Sequence, residues 1–242
     1  MSETNLTRVV ESCASTNTLL KEEPSAPDGL LIAAREQTAG RGQRGNSWEA
    51  EPGANLTFSI LFRTSLEAKR QFELSMVVSL ALVDFINELI APLKARIKWP
   101  NDIYVDDKKI CGILIEHSLT GSTLDRSIVG AGINLNQKNF YSDAPNPVSV
   151  VQLTGRITDI DTAIHRVGQH LRTAVKEYIA SPNPDKLQQQ YMNALWRRTG
   201  QHPFRTPDGQ TFKAAIQDVG IDGTLKLTNN KTYAFKEIQF VL

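Results

Sequence analysis

Three glycines and two arginines fall within Gly40-Arg41-Gly42-Gln43-Arg44-Gly45-Asn46-Ser47-Trp48, and a strand-like run stands on either side. The run before it, Gly29–Arg35 (GLLIAAR), is continuously apolar and reads as a buried strand. The run after it, Asn55–Arg63 (NLTFSILFR), alternates, with Leu56, Phe58, Ile60 and Phe62 on one face. The glycine spacing matches G-x-G-x-x-G, but a dinucleotide-binding unit needs a helix directly after the loop, with its N-terminus on the pyrophosphate. Here Glu51-Pro52-Gly53 and a strand follow, so a doubly wound nucleotide fold fits poorly. A glycine loop between strands is also how kinases cover phosphates, but the chain has no Asp-Phe-Gly, and no G-K-[ST] of a P-loop.

The remaining pattern is mixed α and β. Ser15-Thr16-Asn17 precedes Leu19-Leu20 and reads as the cap of a short helix. Glu67–Leu89 is the longest helical stretch, with Phe72, Met76, Leu80, Val83 and Asn87 along one face. Arg96–Val105 and Lys109–Glu116 read as two strands of a hairpin turning at Asp106-Asp107-Lys108, with Pro100 marking an edge or bulge. Ser127–Asn136 is a further strand, Ser142–Pro147 a proline-rich loop, and Asp161–Ile179 and Asp185–Trp196 are helices. After Trp196 the texture changes. Asp208-Gly209, Asp222-Gly223 and Asn229-Asn230 mark turns between short alternating runs. The spacing predicts a large domain over 1–196 and a small all-β module over 197–242.

Charge narrows the function classes. Lys+Arg number 27 and Asp+Glu 26, so no overall basic field points to nucleic acid. The 2 cysteines, Cys13 and Cys111, are too few for a disulfide framework or a zinc cluster. The 4 histidines are scattered, and His165 and His170 do not share a helical face, so they are assigned to surface or ordinary packing. The first residues lack a signal-peptide pattern, and the apolar stretches are too short to span a membrane. The expectation is a soluble protein of a reducing compartment, the cytoplasm, with no membrane and no nucleic acid as partner.

Three segments offer chemistry. The glycines of the 40–48 loop permit close backbone approach, and its arginines suit phosphate or carboxylate. In strand alternation Lys109 shares a face with Cys111, Ile113 and Ile115. It reads either as a lysine snorkelling to water or as a fixed cation at the mouth of an apolar tunnel, holding a carboxylate whose tail lies along Gly112 and Leu114. Asn101 and Asp102 are turn formers, readers of a base edge, or metal ligands. Gly130-Ala131-Gly132-Ile133-Asn134 leaves room for a flat ligand, and Asn134 offers both a donor and an acceptor. These residues alone lead to an anion- and nucleotide-handling α/β enzyme.

Taken in order, Ser15-Thr16-Asn17, Glu36–Trp48, Lys98-Trp99-Pro100-Asn101-Asp102, Lys109 with Cys111-Gly112-Ile113-Leu114, and Gly130–Asn134 resemble the signature set of the biotin protein ligases. The resemblance covers most of the chain. It implies an α/β (α+β) fold: a mixed sheet with helices on one face, as in class II synthetases and biotin ligases, plus a small C-terminal SH3-like β-barrel. It implies formation of biotinyl-5′-AMP from biotin, ATP and Mg²⁺, then transfer to a lysine of a biotin carboxyl carrier protein. By the family pattern the catalytic residues are Lys109, Arg41 and Arg44. Biotin is held by Ser15, Thr16, Asn17, Gln37, Gly40, Arg41, Gly42, Gln43, Lys109, Gly112, Leu114 and Gly130. ATP and the adenylate meet Arg44, Gly45, Trp48, Lys98, Asn101, Asp102, Ala131 and Asn134, and Mg²⁺ comes with ATP rather than on a protein-built metal site.

Two departures stand out. Many relatives carry arginine at the positions of Gln43 and Asn46, so adenylate retention here is expected to be weaker or to rest more on Lys98 and Arg44. Relatives that double as repressors carry a helix-turn-helix ahead of the Ser-Thr-Asn segment. Only fourteen residues precede Ser15 in this sequence, which predicts no specific DNA binding. An exposed strand edge leaves room for a homodimer. The competing readings are a lipoate or octanoate ligase of the same fold and a non-catalytic biotin sensor. Gln37 and the glycine-arginine loop favour biotin, and Lys109 favours chemistry.

Overall fold

The computed structural model describes residues 6–42, 46–142 and 146–242. Among these residues the chain runs β1 (Thr7–Cys13), α1 (Thr16–Lys21), β2 (Leu31–Gln37), β3 (Leu56–Phe62), α2 (Gln71–Ile90), β4 (Ala95–Lys98), β5 (Asp102–Val105), β6 (Lys108–Thr120) and β7 (Thr123–Ile133). It continues with α3 (Val150–Thr154), α4 (Ile160–Ala180), α5 (Pro184–Ala194), β8 (His202–Arg205), β9 (Thr211–Ala214), β10 (Ile216–Val219), β11 (Leu225–Leu227), β12 (Thr232–Tyr233) and β13 (Gln239–Phe240). No helix among the described residues is long and apolar enough to cross a membrane.

β1 to β7 form one sheet in the order β1-β2-β3-β7-β6-β5-β4. β1 and β2 are parallel and every other pairing is antiparallel, so the sheet is mixed. Its two faces follow from alternation. Leu56, Phe58, Ile60 and Phe62 of β3, with Val129, Ala131 and Ile133 of β7, face the main core beneath α2, α4 and α5. Thr57, Ser59 and Leu61 point the other way and are also buried, because α1 and its flanking loops cover part of that side. The three long helices thus occupy one face, as expected. The short α1 and the functional cavity share the other.

Sequence patterns explain most boundaries. Asp159 caps α4, accepting from the Thr162 amide at 2.8 Å, and Asn183 caps α5 ahead of Pro184. A capping box of Ser149 and Gln152 opens α3, and Gly155 ends it in the left-handed region. Arg96–Val105 is corrected: it is two strands, β4 and β5, folded on each other with Lys98 opposite Asp102. Pro100 cannot donate to a ladder, and Trp99-Pro100-Asn101 makes the turn.

The C-terminal strands form two small antiparallel sheets, β10-β11-β12 and β13-β8-β9, matching the expected SH3-like module. The main core runs on without a break into Phe204, Ile216, Val219, Leu225 and Leu227 of this module. Trp196 bridges the two parts, with its ring 5.2 Å from Tyr104 and 5.3 Å from Phe240.

Candidate active site

A cavity of about 900 Å³ opens on the sheet face that the long helices leave free. Glycines on β6 and β7 make its floor. Gly112 and Gly132 stand opposite each other in register, as do Leu114 and Gly130. A Cβ on Gly112 would come within 2.9 Å of the Trp48 indole, and one on Gly132 would collide with the same ring. A Cβ on Gly130 would strike the Asn17 side chain. Small residues are therefore required here by close approach of other groups, as anticipated for Gly112 and Gly130. Gly132 belongs to the segment expected to leave room against the backbone, though it was not named among the binding residues. Ala131, between Gly130 and Gly132, lines the cavity and also packs into the helix-side core.

One end of the cavity is a buried polar network. The Gln37 amide oxygen accepts from the Thr16 backbone amide at 2.8 Å and from its hydroxyl at 3.1 Å. The Thr16 hydroxyl also lies 2.7 Å from Ser59 Oγ, and Ser59 gives its one proton either to Thr16 or to Asn17 Oδ1. Asn17 Nδ2 in turn donates to Glu116 at 2.7 Å, and the same Glu116 oxygen binds the Arg41 guanidinium at 3.1 Å. Ser15 stands at the N-cap position of α1, yet its side chain caps nothing, so its hydroxyl is free for another partner. Ser59 and Glu116 were missed in the sequence. Glu116 lies two and four residues beyond Leu114 and Gly112, so period-two reading from Gly112 would have found it.

Charge gathers midway along the cavity. Asp102 lies between two lysines, 2.7 Å from Lys109 Nζ and 3.7 Å from Lys98 Nζ. Burial holds the Lys98 pKa below the usual lysine value, repulsion from Lys109 adds to this, and Asp102 opposes it. The expected face of Lys109 is corrected. The ladder between β5 and β6 slips so that Tyr104 pairs with Lys109 while Ile103 pairs with Cys111. The extra residue, Ile110, makes a β-bulge. The bulge puts Lys109 on the Gly112 side, with its Cε 3.3 Å from where a Gly112 Cβ would sit, and leaves Cys111 and Ile113 in the core.

The loop closes as a hairpin. Gly42 N donates to Asn46 O at 2.6 Å and Trp48 N to Gly40 O at 3.0 Å. The Trp48 ring lies 5.6 Å beneath Lys109 Nζ, and its indole N–H has no partner among the described residues. Gln43, Arg44 and Gly45 lie outside the described residues. Asn101 borders the cavity, but its side chain donates to Ile113 O at 2.7 Å and so fastens the turn to β6. Asn134 is 2% exposed and its amide nitrogen donates to Val148 O, while its Oδ1 has no partner among the described residues. One acceptor is thus left over where the sequence reading expected a donor and an acceptor. The outer end is walled by Phe235, Lys236, Ile238 and Phe240 of the C-terminal module, none of which was foreseen. His117 and His202 do have partners, Ser127 Oγ and Thr199 O.

The family model for biotin/lipoate A/B protein ligases matches residues 9–134, more than half of the chain. This chain belongs to the biotin/lipoate A/B protein ligase family. It is 35% identical over 151 residues to the bifunctional ligase/repressor BirA of Escherichia coli, covering 61% of this chain and 46% of that protein. It is 29% identical over 225 residues to the biotin–[acetyl-CoA-carboxylase] ligase of Mycobacterium tuberculosis, covering 90% of this chain and 82% of that one. The chain spans about half the length of BirA. Its fold is that of the Aquifex aeolicus biotin protein ligase solved in complex with biotin and ATP, with a TM-score of 0.78, 22% identity, and 97% and 98% of the two chains covered. In this member of the biotin/lipoate ligase family, the glycine floor, the polar end and the central lysines lie within one cavity.

Proposed function

We propose that this chain is a biotin protein ligase that makes biotinyl-5′-AMP from biotin and MgATP and passes biotin to one lysine of a biotin carboxyl carrier domain in the cytoplasm. The observation that carries the reading is the polar end of the cavity. A fatty or lipoyl chain offers no partner to the Ser15 hydroxyl or to the Gln37 amide nitrogen at its far end, and polar groups left unfilled by an apolar guest oppose its binding. A ureido ring, with a carbonyl acceptor and two N–H donors, pairs with that set. The tail then runs over Gly130, Leu114 and Gly112 toward Lys109.

The chemistry follows from charge. The biotin carboxylate must attack the α-phosphorus of an anionic nucleotide, and two like charges about 4 Å apart repel by about 4 kcal/mol at an effective dielectric near 20. Lys109 supplies a cation at that point, and Lys98 supplies a second. The carboxylate oxygen bonds to the α-phosphorus as the bond to the bridging oxygen of the β-phosphate breaks, and pyrophosphate leaves. A neutral lysine amine of the carrier then attacks the acyl carbon, AMP leaves, and a proton is released. Mg²⁺ would arrive on the triphosphate and offset its charge. Among the described residues no group of three or more His, Cys, Asp or Glu is placed to hold a metal. Trp48 would cover the adenine. The free Asn134 Oδ1 suits its amino group. The 40–48 loop, with Arg41 and Arg44, would shield the hydrolysable intermediate from water. Residues 1–196 would carry this chemistry and 197–242 would complete the cavity rim.

The test is ATP–pyrophosphate exchange with biotin, lipoate and octanoate as parallel substrates. Exchange with biotin alone is expected. Exchange with a fatty or lipoyl acid would reassign the substrate, and biotin binding without exchange would favour a sensor.

A further inference from the structure

Four lysines and arginines among the described residues border the cavity: Arg41, Lys98, Lys109 and Lys236. Three are engaged by carboxylates. Arg41 pairs with Glu116, and Lys98 and Lys109 share Asp102. Lys236 has no carboxylate within ion-pair distance among the described residues. It comes from the C-terminal module, about 130 residues beyond the other lysines in sequence.

Its backbone is unusual. Glu237 N donates to Ala234 O at 3.1 Å, closing a four-residue turn in which Lys236 is third, with φ 74°. That position favours glycine, because a side chain in the left-handed region crowds the backbone. A lysine there costs backbone strain, and its contact within the turn is a distant cation–π approach, its Nζ 6.0 Å from the centre of the Phe235 ring. The turn is also fixed to the large sheet. Phe235 meets Trp99 edge-on at 6.3 Å, and the Trp99 indole donates to Gly223 O at 3.0 Å. Trp99 follows Lys98 directly, so the rim cation and the central lysines are tied through adjacent residues.

We propose that Lys236 is a phosphate-binding residue that holds the β- and γ-phosphates of the nucleotide, and hence the departing pyrophosphate. The proposal rests on the ligase reading given above. The charge arithmetic supports it. Asp102 cancels one of the two central lysine charges, leaving about one net cation for a triphosphate of several negative charges.

The experiment compares wild type with Lys236→Gln, Lys236→Gly and Lys236→Arg. It reads MgATP and AMP binding by calorimetry, biotin-dependent exchange, and melting temperature. Loss of one charge-assisted phosphate contact predicts ATP binding weaker by about five- to tenfold in the Gln and Gly variants. AMP binding and the KM for biotin should be unchanged, and Arg should restore ATP binding. Lys236→Gly should keep or raise the melting temperature, since glycine relieves the left-handed residue. That outcome separates ligand binding from fold support. Unchanged ATP binding in both the Gln and Gly variants, with wild-type exchange intact, overturns the proposal and leaves the ligase reading standing. Wild-type ATP binding that depends on Lys236 but drives no exchange with biotin overturns the ligase reading and supports the phosphate contact. No ATP binding by wild type overturns both.

Discussion

The indole of Trp48 lies directly on Gly132, with no room for even a methyl group between them. A purine stacked between this ring and the sheet therefore requires the Trp48 segment to lift. ATP binding should change Trp48 fluorescence, and Gly132→Ala should displace the ring before any ligand arrives. The substitution is expected to cost about 1–3 kcal/mol of stability through overpacking and about fivefold in ATP affinity through a disturbed stack. Denaturation curves and nucleotide titrations followed by tryptophan emission check both. A variant with unaltered emission and affinity would show that the contact is incidental.

Lys109→Ala removes the cation nearest the reacting carboxylate. Biotin-dependent exchange should fall by about 100-fold or more, as for loss of a group that stabilises developing charge. Biotin should still bind, because the polar end is untouched. Parallel calorimetry and exchange assays distinguish this from a collapsed site.

Lys98 loses its proton at a lower pH than an ordinary lysine, burial being the main cause. Only the protonated form attracts phosphate. The KM for ATP should therefore begin to rise on the alkaline side before an ordinary lysine would lose its proton. Lys98→Arg stays charged throughout and should flatten that limb. Identical pH profiles for the two proteins would remove Lys98 from nucleotide binding.

Glu116 holds both Asn17 and Arg41 with one oxygen. Glu116→Ala should release the Arg41 loop and loosen the polar end, raising the KM for biotin by about tenfold with ATP binding little changed. Steady-state kinetics with each substrate varied in turn would show whether the effect falls on biotin.

Glu49 ties the 137–142 segment to the chain just after Trp48. It accepts from Tyr141 N at 2.9 Å and Ser142 N at 2.7 Å. Burial pushes its pKa up, but hydrogen bonds from Ser142, Tyr141 and Gln137 outweigh this and hold it below the usual value. Because the folded pKa is the lower one, the stabilisation is fully present above the unfolded carboxylate value near 4.3 and is lost as pH falls through the folded value. Amide exchange at Tyr141 and Ser142 should lose protection in acid before the core does.

Local chemistry was legible where it was local. The apolar runs of β2 and β3, the capped helices and the Asp-Gly turns are all written in neighbouring residues. β1 was not, because Thr7–Cys13 lies at the sheet edge with mostly polar or half-exposed side chains. The break between β4 and β5 was read as an edge or bulge within one strand, because Pro100 marks an interruption without saying that the chain reverses there. The site was legible in its glycines and lysines but not in its rim or in the carboxylate that steadies it. Phe235 and Lys236 reach the cavity through packing of Trp99 against a distant turn. No periodicity reports that. Ser59 falls on the opposite face of an alternating strand, and it joins the site only because α1 brings Thr16 and Asn17 against it.

The bulge at Ile110 acts as a phase shifter for the whole strand. Upstream of it, side chains are out of step with the residues downstream, and that offset alone turns an ammonium toward the cavity instead of the helix layer. The register of β6 at this point, rather than its length, therefore decides which way Lys109 faces. A strand that kept Ile110 but lost the bulge would set Tyr104 opposite Ile110 and, in the same stroke, point Lys109 into hydrocarbon.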